Sequence, residues 1–385
     1  MQLLFELSRE HETLPKAEVL ACLDALGVAY EEQMFSDGLL VIDAQLSPEH
    51  TLPQVLANRL GMTHRVYAVL GVSALDEKEI LSVVKAVDLA GIMGAERTFA
   101  VRARFVQKSC VYSGRDELLR MVGERITRAG YVVDLKNPSK TFVLLLTAEK
   151  CFFCLLLHTV DKQHFGATRP HVRPFFSPVV IMPKIARALV NLSRVNAAEL
   201  LLDPFCGTGG ILIEADTIGA SAIGADVQAK MVDGARQNLE FCGLQANLIV
   251  SDVSKSPLKD NSIDAVVTDM PYGRASFIAG SSGCISRSRS VSIELLYQDA
   301  LAEIHRVLKT GRKAVIVSNS PAFYSFARTH GFRLIEEHAY RVHKSLTRYI
   351  TVLEKAYGEA KKINNWCAER DGCQVCFLLF IQLVS

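Results

Sequence analysis

The sequence predicts an α/β chain in which a parallel sheet, covered by helices on both faces, follows a smaller α+β region. Three observations predict it. From about residue 177, strand-like apolar runs alternate with helix-period segments, as parallel strands joined by crossover helices require. Before that point the elements are short and mixed. At 200–211 a buried strand reading Leu-Leu-Leu-Asp runs through a glycine-rich turn into a helix, the arrangement by which open α/β sheets take ligands.

The elements justify this in order. Leu3–Leu7 is extended, 17–26 has helical apolar spacing closed by Gly27, and 38–42 is extended again. A helix at 52–60, a strand at 66–70 and an acidic helix near 76–88 complete a first module of about 95 residues. A second module opens at Thr98. Phe99–Arg104 alternates apolar and basic residues, 115–129 is an Arg-rich amphipathic helix, and Val132–Pro138 is a strand running into a turn. Two strongly apolar strands follow at 141–147 and 151–159, and the Pro- and Arg-rich stretch 169–174 marks a linker or crossover loop. In the third module, strands are predicted at 199–203, 222–226, 247–251, 263–268 and 313–318, with helices at 182–193, 210–218, 228–242 and 294–308. Strands 334–341 and 346–354 close the sheet in antiparallel fashion. The expected domains are therefore 1–95, 96–165 and 166–355, with a tail at 356–385 that has no functional reading.

Composition narrows the function classes. A chain of 385 residues suits two or three packed domains, and 49% apolar with 22% charged residues excludes disordered and collagen-like classes. No apolar run approaches the length of about eighteen residues that spans a bilayer, and the start of the chain lacks the plan of a signal peptide. A cytoplasmic protein without a membrane partner is expected. Ten cysteines without framework spacing read as reduced thiols. Cys151 and Cys154 have zinc-like spacing but sit in an apolar strand, where i and i+3 point to opposite faces, so they read as core. Cys367, Cys373 and Cys376 lack a clear fourth ligand, and no metal site is expected. The net charge of +2 conceals a division: residues 1–95 hold 6 Lys/Arg against 14 Asp/Glu, whereas 96–173 hold 14 against 7. A basic middle segment is what contact with a polyanion needs.

The chemistry concentrates at strand ends. Asp203-Pro204-Phe205-Cys206-Gly207-Thr208-Gly209-Gly210 is not a P-loop, since no Gly-Lys-Ser/Thr follows, and Asp203 would repel the phosphates of a dinucleotide. A carboxylate there suits a cationic cofactor with an amino-acid end, and S-adenosylmethionine carries both a sulfonium and an ammonium. Asp226, at the tip of the second strand, can accept from ribose hydroxyls, and Asp252, at the third, from an adenine amino group. Phe205, Val227 and Val253, beside these acids, complete the expected cofactor set. The fourth strand ends in Asp269-Met270-Pro271-Tyr272-Gly273. This turn suits methylation of an exocyclic amine: the Asp269 carboxylate and Met270 carbonyl can accept its two N–H groups, aiming the nitrogen lone pair at the methyl. Tyr272 can stack on a base that is single-stranded or flipped out.

The chain resembles THUMP-domain RNA methyltransferases, above all the archaeal tRNA (guanine-10-N2)-dimethyltransferase family. The resemblance covers about residues 1–355. It rests on Phe99–Arg102, Val133-Asp134-Leu135-Lys136-Asn137-Pro138, Arg173-Pro174-Phe175-Phe176-Ser177-Pro178, Pro183–Leu192 and the Asp203–Gly210 turn. It implies a class I (Rossmann-like) methyltransferase domain preceded by a ferredoxin-like domain and a THUMP domain that grip tRNA. It also implies that Asp203, Gly207, Gly209, Asp226 and Asp252 bind S-adenosylmethionine, and that Asp269 to Tyr272 form the amino-methyltransferase motif. That motif usually reads Asp-Pro-Pro-Tyr. Met270 replaces its first proline, so a looser turn that preserves activity is expected. Gln228 stands where relatives often carry an acid.

For RNA contact, Arg102, Arg104, Lys140, Arg169, Arg173, Arg274 and Arg287 are expected. The Gly/Ser-rich segment 274–290, which holds no acid, reads as a lid touching phosphate or as an inert loop. The implied function is S-adenosylmethionine-dependent methylation of guanine N2 in tRNA, at position 10, once or twice, by a monomer. Related eukaryotic enzymes act with a small partner protein, and the residues leave the need for one open. Amino methylation of another RNA or DNA base, and an inactive RNA-binding scaffold, remain as alternatives.

Overall fold

A computed structural model describes residues 1–45, 52–106, 114–177, 180–272, 289–343 and 346–357. The chain forms two compact units, the first from residues 1–173 and 181–196, the second from 174–180 and 197 onward.

The first unit is built on an eight-stranded sheet. Its elements are β1 (Gln2–Leu7), α1 (Leu14–Ala25), β2 (Tyr30–Ser36), β3 (Leu39–Ala44), α2 (Leu52–Arg59), β4 (Thr63–Ala74), α3 (Glu77–Ala86), α4 (Leu89–Met93) and β5 (Thr98–Phe105). These lead to α5 (Arg115–Arg128), β6 (Val132–Val133), β7 (Lys140–Leu146), β8 (Lys150–Thr159), α6 (Gln163–Ala167) and α7 (Pro183–Leu192). The strand order is β2-β3-β1-β4-β8-β7-β5-β6. The long antiparallel β4–β8 pair makes one sheet of segments that the sequence assigns to separate modules. β4 is longer than the 66–70 predicted because bulges at Val66/Tyr67 and Val69/Gly71 shift its register and break the alternation.

Among the described residues of this unit, apolar side chains gather in three clusters. Phe5, Val19, Leu23, Ile42 and Leu56 pack under α1 and α2, and Val84, Phe99, Leu118, Ile126 and Phe142 under α3 to α5. Leu4, Tyr67, Val143 and Phe152 form a third. Cys151 joins the second cluster and Cys154 the third, as the opposite faces of one strand require. Helix α7 is anchored by a buried polar network. Glu18 accepts from the Gly61 and Met62 amides at 2.8 Å each and from Asn191 Nδ2 at 2.8 Å, while Arg59 Nε donates to Asn191 Oδ1 at 2.9 Å. The helix expected at 182–193 is present as α7, and it packs against α1 and α2.

The second unit holds β9 (Leu200–Asp203), α8 (Gly210–Thr217), β10 (Ser221–Asp226), α9 (Ala229–Phe241), β11 (Asn247–Val250) and β12 (Ile263–Asp269). After these come α10 (Arg289–Val307), β13 (Leu308–Ser318), α11 (Phe323–Thr329), β14 (Phe332–His343) and β15 (Leu346–Lys355). The sheet order is β11-β10-β9-β12-β13-β15-β14, parallel through β13 and antiparallel at β15 and β14. The order reverses between β9 and β12, so a crevice opens at the carboxyl ends of those two strands. Among the described residues, no helix is long and apolar enough to cross a membrane.

Candidate active site

Asp203 and Asp269 end the two strands that flank the reversal. Asp203 is 1% exposed; its Oδ1 accepts from Thr268 Oγ1 at 2.7 Å and from the Phe205 amide at 3.1 Å. Burial pushes its carboxyl up to about 7, with the Asp269 and Asp226 charges adding to the shift against those two hydrogen bonds. The turn after it is set by glycine. Gly207 and Gly209 have φ of +49° and +78°, which a side chain disfavours, and Gly209 caps α8.

The Gly207 amide donates to Asp226 Oδ2 at 3.1 Å, and the Gln228 amide to Oδ1 at 2.9 Å. Burial raises the Asp226 pKa. Each carboxylate oxygen keeps a second lone pair for a ligand hydroxyl. Asp252 caps a short 3-10 turn, Val253–Lys255, its Oδ1 accepting from the Ser254 amide at 3.0 Å. Val253 is buried, Phe205 packs partly into the core, and Val227 is exposed. A strap from the start of this unit closes the back of the turn: the Phe175 amide donates to Asn238 Oδ1 at 2.9 Å, and Asn238 Nδ2 donates to Phe175 O and Thr208 O at 2.9 Å.

At the other strand tip, Tyr272 Oη donates to Asp269 Oδ1. Burial pushes Asp269 up to about 6, opposed by the charge of Arg348 and the Tyr272 hydrogen bond. The looser turn expected at Met270 is corrected. The Met270 amide donates to Val317 O at 2.9 Å, extending the β12–β13 pairing by a bond that proline cannot make, and its side chain is buried among Tyr297, Leu301 and Phe323. Tyr297 Oη donates to Pro271 O at 3.3 Å. The motif departs from Asp-Pro-Pro-Tyr and the turn is still fixed.

Sequence reasoning missed Arg348. It is 5% exposed on β15, with Nη2 3.3 Å from Asp269 Oδ2 and Nε donating to Tyr272 Oη at 3.1 Å. The available signal was a lone arginine at the same inward parity as Ile350 and Val352.

The expected RNA residues divide. Arg102 is exposed, its Nη2 donating to Leu135 O at 2.7 Å; Arg169 is exposed and Lys140 half-buried. Arg104 pairs with Glu6 at 2.8 Å. Arg173 is a correction: it is 4% exposed and its Nε donates to Thr168 O at 2.8 Å, so it braces its own loop rather than offering a surface charge. Arg274, Arg287, the segment 274–288 and the tail cysteines lie outside the described residues.

Residues 74–156 match the THUMP domain and 170–350 an RMKL-like methyltransferase domain. The tRNA (guanine(10)-N2)-dimethyltransferase of Methanothermobacter thermautotrophicus is 34% identical over 358 residues, covering 92% of this chain and all of that protein. The chain belongs to the tRNA (guanine(10)-N2)-dimethyltransferase family. The enzyme of the same name from Pyrococcus abyssi is 33% identical over 299 residues, covering 77% of this chain and 85% of that one. The crystal structure of TrmN from Thermus thermophilus shares the fold, at 21% identity and a TM-score of 0.50, over 92% of this chain and all of that one. As a family member the protein is an S-adenosylmethionine-dependent methyltransferase. Asp203 suits such a cofactor on chemical grounds: a buried carboxyl raised by burial and by the charges of Asp269 and Asp226 is relieved by a cation.

Proposed function

We propose that this protein methylates the exocyclic N2 of guanine 10 in tRNA, once and then a second time. The observation that carries the reading is the Asp269–Tyr272 turn at the β9/β12 reversal, one strand from Asp203, in a chain 34% identical to a tRNA (guanine(10)-N2)-dimethyltransferase. Asp203, Asp226 and Asp252, with Phe205, Gly207, Gly209, Val227 and Val253, hold the cofactor. When bound, it supplies an electrophilic methyl on a sulfonium.

The chain's own groups deal with a poor nucleophile. The guanine N2 lone pair is delocalised into the ring, so Asp269 and the Met270 carbonyl accept its N–H groups and turn the lone pair toward the methyl. Positive charge developing on nitrogen is stabilised by the Asp269 carboxylate, which is positioned to take the departing proton. The buried setting strengthens that interaction, because little water screens it. Tyr272 offers a ring face to the base. Residues 1–165 supply the tRNA-binding surface, 166–355 the chemistry except for α7, and Arg102, Lys140 and Arg169 contact phosphate.

The test is methyl transfer from labelled S-adenosylmethionine to unmodified tRNA transcripts with guanine or adenine at position 10. The expected result is label on the guanine transcript alone, abolished by Asp269→Ala, with mono- then dimethylguanosine appearing in nuclease digests. Equal label on both transcripts would overturn the assignment of position. No label on either transcript, with cofactor and tRNA both bound, would favour a scaffold.

A further inference from the structure

We propose that Arg348 is a positioning residue for methyl transfer: one guanidinium holds the Asp269 carboxylate and the Tyr272 hydroxyl together, fixing the acceptor that receives the base's amine. The inference rests on the function proposed above and deepens it. Its basis is a closed ring of contacts. Arg348 Nη2 lies 3.3 Å from Asp269 Oδ2, Arg348 Nε donates to Tyr272 Oη at 3.1 Å, and Tyr272 Oη donates to Asp269 Oδ1.

The sheet explains why an arginine is needed. Asp269 pairs with Val317 of β13, which pairs with Ile350 of β15, two residues beyond Arg348. The side chain therefore reaches across the end of β13, a span of about two strand spacings of 4.8 Å each. A planar fork at that reach can serve two acceptors at once, whereas an ammonium serves one point.

The ring also defines a sequence of exchanges. In the structure the Tyr272 hydroxyl donates to Asp269 Oδ1, which, with Arg348 beside Oδ2, is the oxygen less engaged by charge and the one the amine N–H would meet. When the base enters, its N–H replaces the tyrosine O–H on Oδ1. Arg348 keeps its hold on Oδ2, so the carboxylate does not swing, and it retains the tyrosine oxygen through Nε, so the ring is kept beside the base. No bond to carbon or sulfur changes in this exchange; one hydrogen bond replaces another.

Arg348 also supplies positive charge that favours the ionised form of the half-buried Asp269 carboxylate. Among the described residues, the titratable and charged groups around Asp269 are Tyr272 on its own turn, Asp203 on β9, Tyr297 on α10 and Arg348 on β15, with Tyr340 on β14 acting on Arg348. Arg348 is the one cation of this set. Asp203 is the other carboxyl, and it acts through cofactor binding, so a rate measured at saturating cofactor separates the two.

The experiment measures kcat for methyl transfer to guanine-10 tRNA at saturating cofactor and tRNA, from about pH 5 to about pH 9, in wild type, Arg348→Met and Arg348→Lys. Cofactor and tRNA affinities are measured in parallel by calorimetry. For Arg348→Met the acid limb of kcat is expected to move up by about one pH unit or more, with a plateau at least about tenfold lower. Cofactor affinity is expected to stay within about twofold. For Arg348→Lys the limb stays near wild type, because the charge remains, while the plateau falls because the fork is lost. Guanidinium ion added to Arg348→Ala is expected to restore part of the rate.

A folded Arg348→Met enzyme with wild-type limb and plateau overturns the proposal. So does a loss confined to KM for tRNA, which would make Arg348 an RNA contact. If the Met variant does not fold, the Lys variant decides: a wild-type plateau overturns the proposal, and a lowered plateau on an unmoved limb supports it. Inactivity of the wild type itself would defeat the proposed function, a different result from an active wild type with indifferent Arg348 variants.

Discussion

A carboxyl held near neutrality inside a protein is a proton switch for any cation that binds beside it. Asp203 ordinarily titrates at 3.8 and in the folded chain at about 7. The stability linked to that proton is therefore fully present below about pH 4 and is lost as pH rises through about 7. Asp269, raised to about 6, adds in the same direction. The cofactor-free protein should thus lose thermal stability from about pH 4 to about pH 7, and Asp203→Asn should flatten that slope. A cationic cofactor prefers the ionised form, so binding near pH 7 should release protons, read by calorimetry in buffers of different ionisation enthalpy. Asp203→Asn should abolish the release and weaken binding by about 2 kcal/mol, roughly thirtyfold in Kd. Binding without proton release would sink this account. Met270 gives a second prediction. Met270→Pro removes a hydrogen bond worth about 1 kcal/mol and a packed side chain worth a further 1–3, so Tm should fall, while Met270→Leu should cost less than about 1.5 kcal/mol and stay active. The strand-tip acids were legible because each follows an apolar run. Arg348 was not, because it comes 76 residues after Tyr272 and only antiparallel closure of β15 brings the two together.

Elements were readable where burial leaves either a continuous apolar run or a period. Strands β9, β10, β12 and β13 and helix α8 are buried on both faces and read as runs, and helices α5 and α9 are buried on one face and read as periods. β2 shows neither: Tyr30-Glu31-Glu32-Gln33-Met34-Phe35-Ser36 lies at a sheet edge with most residues exposed, so no face imposes apolar alternation. Helices α4, α6 and α11 have 5, 5 and 7 residues, too few to display a repeat of 3.6. The packing of α9 on the Phe175 strap was equally hidden, since it depends on a missing side chain. A Cβ at Gly234 would lie 2.1 Å from the Phe175 ring. Gly234→Ala must therefore push the strap away, at a cost of about 1–3 kcal/mol. Because Asn238 ties that strap to Thr208 in the cofactor turn, the variant should also bind cofactor more weakly. A lowered Tm with unchanged cofactor affinity would show that the strap is packing alone.

For the molecule as a whole, charge is the feature that composition shows and conceals. The near-neutral total hides an acidic stretch at 1–95 and a basic one at 96–173, yet β4 and β8 join these stretches in one sheet, so the division is electrostatic rather than architectural. The packing of α7 on α1 and α2 was not legible, because no local pattern announces a helix's distant neighbour. Nor does a count of arginines tell which of them face solvent. Arg102 and Arg169 do; Arg173 is buried against Thr168 O. This difference yields a prediction about RNA binding that sequence charge alone would get wrong. A phosphate contact contributes through released counterions, so each one lost should lower the slope of log affinity against log salt by about 0.7–0.9. Arg102→Ala and Arg169→Ala should each weaken tRNA binding, reduce that slope, and leave Tm and cofactor affinity unchanged. Arg173→Ala removes the same formal charge but should keep the slope, lowering Tm instead through the loss of a buried charge-assisted hydrogen bond worth about 1–3 kcal/mol. Titration of tRNA at several salt concentrations, with a melting curve for each variant, separates the two behaviours. An Arg173→Ala protein with wild-type Tm and a reduced slope would return that residue to the RNA surface and refute its structural role.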